Sequence, residues 1–154
     1  MNLPSYKHER HLRTGRFSEG NRAYMVTTST YRRQPVFADF HCGRLIVQTL
    51  QQLSPSATTF CFVIMPDHIH WLFQLTDGAE LSRVMKCAKS VSARRVKQHT
   101  RLAGPLWQKG FYDRTVRAED DLKEMARYIV ANPVRAGLVR SVREYPLWDA
   151  IWLE

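Results

Sequence analysis

The chain has 154 residues, 44% of them hydrophobic, and its 23 Lys and Arg against 14 Asp and Glu give a formal net charge of +9. This length and apolar content predict one domain, residues 1–154, with a single core, and the positive charge favours a polyanionic partner such as nucleic acid. Anionic membrane surfaces would attract such a charge too, but no apolar run reaches the roughly 18 residues that span a bilayer, and three scattered cysteines lead us to expect a cytoplasmic protein.

The chain begins with a basic segment that precedes a predicted strand and helix. Residues 1–22 are polar and basic, and we expect them to be irregular or mobile. The run Ala23–Tyr31 is rich in β-branched and aromatic residues, which predicts a strand. Apolar residues at helical spacing then predict a helix over Phe37–Leu53, which Ser54-Pro55 ends.

A predicted hairpin and a long basic helix follow. Strands are predicted at Thr58–Met65 and His68–Leu75, and the Pro66-Asp67 turn between them indicates that they pair. Leu81–Thr100 combines an apolar stripe with a face of Arg and Lys, so we predict an amphipathic helix with a positive outer surface.

The last third of the chain completes an α+β pattern. Leu106–Val116 predicts a fourth strand or extended segment, and Glu119–Val130 predicts a helix that ends near Asn132, because Pro133 disfavours helical geometry before it. The order β-α-β-β-α-β-α predicts a ferredoxin-like (split βαβ) antiparallel sheet with helices on one face, plus a C-terminal helix.

The sharpest local motif is Pro66-Asp67-His68-Ile69-His70. Side chains two residues apart on a strand share a face, so His68 and His70 project together while Ile69 enters the core on the other side. Two imidazoles that converge from one strand form half of a divalent-metal site. The alternative is that one or both are ordinary surface or hydrogen-bonded histidines.

A second constellation lies on the last predicted helix, where Tyr128 and Asn132 are four residues apart and share a helical face. A tyrosine oxygen is a usable nucleophile for phosphoryl transfer, and an amide oxygen one turn later can complete a metal shell with the two histidines. The alternatives are that Tyr128 packs on the sheet and Asn132 caps the helix. Tyr112 is a competing nucleophile, but its extended segment offers no metal-ligating companion, so the assignment goes to Tyr128.

Other titratable residues give weaker signals. The three cysteines, Cys42, Cys61 and Cys87, fall in no metal-ligand spacing, and we interpret them as reduced core thiols. His41 and His99 form no second histidine motif. Basic side chains that can contact a DNA backbone, or that are simply solvated charges, are Arg13, Arg16, Lys86, Lys89, Arg94, Arg95, Lys109 and Arg114.

Four stretches, PDHIHWLF, LSRVMKCAKS, LWQKGFYDRTVR and RYIVANPVRAGLV, occur in this order. Together they resemble the HUH-type single-tyrosine transposases, and most closely the REP-associated tyrosine transposases, from about Tyr24 to about Trp148. The resemblance implies that His68 and His70 bind a divalent metal, Mg²⁺ or Mn²⁺, with help from Asn132, and that Tyr128 is the nucleophile.

The resemblance also implies a substrate and a setting. The substrate would be single-stranded DNA with an imperfect palindromic hairpin and a short flanking guide sequence. Cleavage would leave a 5′-phosphotyrosine and a free 3′-hydroxyl. The protein would act at the bacterial nucleoid, and we expect a monomer, while the dimer of the mobile-element transposases, which exchange the tyrosine helix between subunits, remains the alternative.

Two rival functions remain open. One is a nucleic-acid-binding protein without catalysis, because the RNA-recognition fold has the same sheet, although the Lys/Arg-Gly-Phe/Tyr-Gly/Ala-Phe-Val pattern is missing here. The other is a metal-dependent phosphoesterase with water as the nucleophile, which would require a carboxylate-rich motif or a second histidine motif.

Overall fold

The structure, a computed structural model, describes residues 22–152. Its strands and helices are β1 (Ala23–Ser29), α1 (Phe40–Gln52), β2 (Ala57–Met65), β3 (His68–Leu75), α2 (Leu81–His99), β4 (Tyr112–Val116), α3 (Glu119–Val130), α4 (Asn132–Arg135) and β5 (Trp148–Ala150). The predicted DNA contacts Arg13 and Arg16, with nearly all of the basic N-terminal segment, lie outside the described residues.

The strands form one antiparallel sheet in the order β4-β1-β3-β2-β5. The first four strands have the 4-1-3-2 order of the split βαβ arrangement, which confirms the predicted fold class. The fifth strand, Trp148–Ala150, was not predicted, because three residues are too few to give an alternating pattern.

Helices cover both faces of this sheet. Helices α1 and α2 pack on the face that carries Ile69, Trp71 and Phe73. Helix α3 packs on the opposite face, where its Ile129 joins the second core cluster, which includes Leu72. The predicted placement of helices on one face therefore holds for α1 and α2, while the C-terminal helix lies across the sheet from them. The central strands are apolar on both sides, and each side needs a cover.

Helix α1 begins at Phe40, three residues later than predicted, because Asp39 caps it. The Asp39 side chain accepts hydrogen bonds from the backbone N–H groups of His41 and Cys42, at 2.9 and 3.3 Å. These contacts satisfy amides that have no partner within the helix. The preceding residues form a short 3-10 segment, Val36–Ala38.

Two predicted strands are shorter than expected for one shared reason. Strand β1 ends at Ser29 because Thr30 turns away to bind the hairpin turn, its N–H donating to the carbonyl of Asp67 at 2.9 Å. The predicted strand Leu106–Val116 is regular only from Tyr112, and its earlier part makes one isolated bridge, Thr30 to Trp107.

The cysteine interpretation needs one correction. Cys42 and Cys61 are buried free thiols, and burial raises the pKa of Cys61 to about 12. Cys87 is exposed, because it lies on the outer face of α2 and not in the apolar stripe. No helix in the described range 22–152 is both long and apolar enough to cross a membrane.

Candidate active site

The strand register places His68 and His70 on the same face of the sheet as α3. His70 lies opposite Thr27 of β1 and opposite Val63 of β2. Leu72, two residues further along, packs in the core beneath α3, while Ile69 is buried on the other face. The two-residue periodicity of a strand therefore brings both histidines to the side where the tyrosine helix lies.

The two imidazoles are close enough to share one cation. His70 is 2% exposed and the His68 side chain 15% exposed. Their ring centroids lie 4.9 Å apart, with an interplanar angle of 83°. Two imidazoles that bind one ion through nitrogens at roughly 2.1 Å have ring centres about 5 Å apart. The observed spacing fits that arrangement.

Each ring makes its hydrogen bond through Nδ1. The Nδ1 atom of His70 is 2.8 Å from Oγ1 of Thr27, and that of His68 is 2.7 Å from Oδ1 of Asp67. Metal-binding histidines usually engage one ring nitrogen in such a contact and coordinate with the other. An ionised Asp67 accepts a hydrogen bond from the Nδ1–H group of His68, which leaves Nε2 as the atom with a lone pair.

Asp67 is held on its other side by Arg33. The Nε of Arg33 donates to Oδ2 of Asp67 at 3.0 Å, and its Nη1 donates to Oγ of Ser29 at 3.0 Å. Burial acts to raise the pKa of Asp67, but the hydrogen bonds and charges of His68 and Arg33 outweigh it and lower that pKa. Asp67 is therefore an ionised carboxylate that orients His68.

Both histidines are neutral at neutral pH, the protonation state that binds metals. Burial lowers the pKa of His70 to about 3, and the charges of His68, Arg135 and Arg33 act in the same direction. Burial also lowers the pKa of His68, although Asp67 opposes that shift.

The depressed pKa of His70 predicts a pH-dependent stability of the metal-free protein. In the unfolded chain His70 regains a pKa of about 6.5. At pH values between the folded and the unfolded pKa, the unfolded state binds more protons than the folded state. The free energy of unfolding therefore falls as the pH drops below about 6.5, the unfolded pKa. One such group contributes up to about 1.4 kcal/mol per pH unit.

Urea denaturation in EDTA, from neutral pH to about pH 4.5, measures this effect. We expect the free energy of unfolding to depend less steeply on pH in His70→Gln than in the wild type. The difference in slope should correspond to the uptake of close to one proton on unfolding. Equal slopes for the two proteins would contradict a buried neutral His70.

Tyr128 and Asn132 stand on either side of a break between two helices. Tyr128 is half-buried in the last turn of α3, and Asn132 begins α4. Ala131 between them has backbone angles in the helical region, φ −80° and ψ −5°. Pro133 sits in the first turn of α4, where a proline is tolerated.

The side chain of Asn132 has an unsatisfied polar atom. Among the described residues, its Nδ2 is the buried side-chain nitrogen or oxygen that has no hydrogen-bond partner. The nitrogen and oxygen of an amide can be exchanged by a rotation. With Oδ1 in that position, Asn132 would present an acceptor that a cation can satisfy, and an amide oxygen with two imidazoles is a donor set suited to a divalent metal.

Arg135 links the tyrosine to the histidines, and its role was not predicted from the sequence. Its guanidinium carbon lies 3.7 Å from the centroid of the Tyr128 ring. Its Nη2 donates to the backbone carbonyl of Tyr128 at 2.6 Å. Its charge also contributes to the lowered pKa of His70. The spacing of seven residues from Tyr128, two helical turns, was the signal available in the sequence.

A comparison with known protein families shows to which family the chain belongs. Residues 20–132 match the family described as "Transposase IS200 like". The chain belongs to the IS200-like transposase family.

Curated relatives and solved structures agree with this membership. The REP-associated tyrosine transposase of Escherichia coli is 30% identical over 89 residues, 55% of this chain and 49% of that protein. A Haemophilus influenzae protein that bears the same name provisionally is 30% identical over 99 residues, 57% of this chain and 56% of the relative. The aligned part of the chain thus spans about half the length of these relatives.

The fold agrees with a solved structure of the same kind. A REP-associated tyrosine transposase bound to a REP hairpin superposes with a TM-score of 0.70 at 19% identity, covering 95% of this chain and 82% of that one. The predicted resemblance to REP-associated tyrosine transposases is confirmed.

In this IS200-like transposase, Tyr112 lies closer to the histidines than its sequence position suggested. It is opposite Thr27 on β1, which is itself opposite His70 on β3. Its side chain is on the same face as the histidine pair, two strands away, and the residue is 43% exposed. Tyr112 is therefore the appropriate control for any assignment of the nucleophile.

The predicted DNA contacts of this family member divide between the two faces. Arg114 is on the histidine side, since it pairs with Met25, a residue of the core beneath α3. Lys109 lines a groove of about 220 Å³ beside β1, together with Thr27, Ser29, Arg33 and Tyr112.

The four candidates on α2 lie on the opposite face of the sheet from the histidines. Lys86 and Arg94 are exposed. Lys89 donates to the backbone carbonyls of Gln108, at 2.8 Å, and Gly110. Arg95 donates to Oγ1 of Thr49, at 3.1 Å, and to Oε1 of Gln52. Lys89 and Arg95 thus have structural contacts that the sequence did not indicate.

Proposed function

We propose that this protein is a metal-dependent single-strand DNA endonuclease and strand-transferase that acts on hairpin-containing repeat DNA through a covalent 5′-phosphotyrosine. The observation that carries this proposal is the convergence on one sheet face. His68 and His70, with both Nδ1 atoms engaged, share that face with the helix that carries Tyr128. The family membership and the hairpin-bound structural neighbour support the same function.

The chain's own groups have separate roles in the proposed reaction. His68, His70 and Asn132 would hold the divalent metal, Mg²⁺ or Mn²⁺, and Asp67 and Thr27 would fix the two rings. When bound, such an ion polarises a non-bridging phosphate oxygen and offsets charge in the transition state. The groove that contains Arg33 and Lys109 would bind the DNA backbone beside the site.

Tyr128 would perform the covalent step. Its phenolic oxygen loses its proton and forms a bond to the scissile phosphorus, the bond from phosphorus to the 3′-oxygen breaks, and the departing oxygen takes up a proton to become a 3′-hydroxyl. The guanidinium of Arg135, stacked on the ring, would hold the phenol in position. Attack by a new 3′-hydroxyl on the phosphotyrosine rejoins the strand, because the ester conserves the bond energy.

The setting of the reaction belongs to the proposal as well. Repeat hairpins in a chromosome place the protein at the bacterial nucleoid, in the cytoplasm. We expect it to act as a monomer, because α3, which carries Tyr128, packs on the sheet of its own chain. Sedimentation of the protein with and without a hairpin oligonucleotide measures that state.

A covalent-capture assay tests the proposal. Single-stranded DNA with a palindromic hairpin and both flanks carries its label at the 3′ end, since the 5′-phosphotyrosine retains the downstream fragment. Incubation with Mg²⁺ or Mn²⁺ should give a labelled protein band on a denaturing gel. The fully paired duplex and an EDTA sample should give none. Tight hairpin binding without any adduct or cleavage would overturn the enzyme in favour of a DNA-binding protein.

Asp67 provides a prediction about the metal. In Asp67→Asn, the amide no longer offers His68 a charged acceptor, so His68 loses its fixed orientation. We expect the affinity for Mn²⁺ to fall by roughly 10–100-fold, the usual cost of losing such a partner. Calorimetric titration measures it. Asp77→Asn, at an exposed carboxylate beyond the far end of β3, is the matched control. Unchanged Mn²⁺ affinity in Asp67→Asn would contradict the proposed role.

A further inference from the structure

A second group of potential metal ligands lies on the other face of the sheet, where the start of α1 meets the end of α2. Asp39, Cys42 and His99 each offer one ligand atom, and these three atoms all lie within 4.8 Å of one another. They combine a carboxylate oxygen, a thiol sulfur and an imidazole nitrogen. Asp39 and Cys42 belong to one helix terminus and His99 to the other, so only the folded chain brings them together.

The local contacts leave a coordinating atom on each residue. Oδ1 of Asp39 accepts the backbone N–H groups of His41 and Cys42. Oδ2 of the same carboxylate faces Nε2 of His99 at 3.8 Å. Cys42 is 1% exposed, so its sulfur forms the inner wall of the cluster.

A fourth ligand is available in the same cluster. The ring centroids of His41 and His99 lie 5.5 Å apart. Two imidazoles on one tetrahedral ion, with bonds of roughly 2.0 Å, have ring centres about 5 Å apart. His41 is exposed and lies outside the three-residue group as it stands, so its side chain would have to rotate to become the fourth ligand.

The ligand types select the metal. A thiolate disfavours Mg²⁺ and Mn²⁺, which prefer oxygen, whereas sulfur with imidazole and carboxylate in a tetrahedron is typical of Zn²⁺. We propose that Asp39, His41, Cys42 and His99 bind one structural Zn²⁺ ion that ties the N-terminus of α1 to the C-terminus of α2.

This site is separate from the histidine pair but joined to it through the backbone. The segment Val36–Ala38, just before Asp39, contributes the Phe37 N–H that donates to the carbonyl of Pro66 at 2.9 Å. Pro66 begins the turn that carries Asp67 and His68. The Zn²⁺ ion would therefore stabilise the segment that hydrogen-bonds to the hairpin turn, and it would take no part in the reaction at DNA. The inference does not depend on the proposed function.

Cobalt substitution tests the site directly. The reduced protein, freed of metal with EDTA and exchanged into buffer, is titrated with CoCl₂. We expect visible bands of tetrahedral Co²⁺ together with a near-ultraviolet thiolate charge-transfer band, all removed by one equivalent of ZnCl₂. Zn²⁺ should also raise the melting temperature, because it binds the folded state.

Variants assign the ligands. Cys42→Ser should lose the charge-transfer band, and His99→Gln should weaken Co²⁺ binding by more than the ~100-fold that loss of an outer partner costs. Cys87→Ser, at the exposed thiol, and His68→Ala, at the other site, should keep the band. Because Cys42 is in the core, its variant can fail to fold, and His99→Gln, changed at an exposed side chain, then decides.

Two outcomes would overturn the proposal. One is the absence of a thiolate band in the wild type, which would leave the cluster as a helix cap with an ion pair between Asp39 and His99. The other is unchanged Co²⁺ affinity in a folded His99→Gln.

Discussion

Tyr128→Phe is expected to abolish the covalent protein–DNA adduct while hairpin binding stays close to that of the wild type. The substitution removes one oxygen and keeps the ring on which Arg135 stacks. Without the phenolic oxygen no bond to phosphorus can form, so cleavage should fall by on the order of 10³-fold or more, as when other covalent nucleophiles are removed. The 3′-labelled capture gel measures the adduct, and a gel-shift titration measures binding.

Tyr112→Phe is the matched control, because this tyrosine lies on the same sheet face and is more exposed. We expect it to keep the adduct. Loss of the adduct in Tyr112→Phe, with retention in Tyr128→Phe, would move the nucleophile to β4 and leave the reaction class intact. Loss in both would indicate that each hydroxyl is needed for the adduct, and the gel-shift titrations would show whether the loss comes from weaker DNA binding.

His70→Ala and His68→Ala form the second prediction with a large expected effect. Each removes one imidazole of the pair, and we expect Mn²⁺ affinity to fall by more than the roughly 100-fold that an outer partner accounts for. At millimolar metal, adduct formation should then be undetectable. Calorimetry of the Mn²⁺ titration and the capture gel give the two readouts.

The two substitutions should differ in their effect on folding. His70 is buried, so His70→Ala leaves a cavity and a Thr27 hydroxyl without its partner, at a cost of about 2–4 kcal/mol. His68 retains some exposure, so His68→Ala should lower the free energy of unfolding by less than His70→Ala does. His70→Gln separates chemistry from stability, because it fills most of the space. Adduct formation in EDTA at the wild-type rate would contradict a role for metal in this site.

The sequence predicted the elements whose pattern is local. The bounds of β3, His68–Leu75, and of α3, Glu119–Val130, agree with the prediction. HIHWLFQL alternates in a way that fixes which residues share a face, and three acidic residues mark the start of α3. These signals lie within the segments themselves, so no tertiary information was needed to use them.

The face on which α3 packs could not be predicted in this way. Strand β2 ends in five consecutive buried residues, Cys61–Met65, and such a run shows that both faces are covered without showing which helix covers each. The three-residue strand β5 depends on pairing with Cys61–Val63, a contact across almost ninety residues of chain.

The residues that hydrogen-bond to the site could not be predicted from the sequence for the same reason. Thr27 precedes His70 by 43 residues, and Arg33 precedes Asp67 by 34. Hydrogen bonds of this length in sequence arise only after the sheet has formed. Asp67, next to His68, was the exception, and its proximity in the motif could have indicated its role. Asp39, Cys42 and His99 lack any regular spacing, so Cys42 and His99 were interpreted separately and Asp39 was not considered.

The row of cross-strand neighbours through His70 has a consequence for folding fidelity. Tyr112, Thr27, His70, Val63 and Trp148 lie side by side across all five strands. A slip of β3 by one residue would turn both histidines toward α1 and α2 and bring the buried Trp71 to the opposite surface. Burial of Trp71 thus penalises such a slip, and under the proposed mechanism a molecule that forms the phosphotyrosine would have its central strand in the correct register. Adduct yield is therefore a measure of correctly aligned sheet as well as of catalysis.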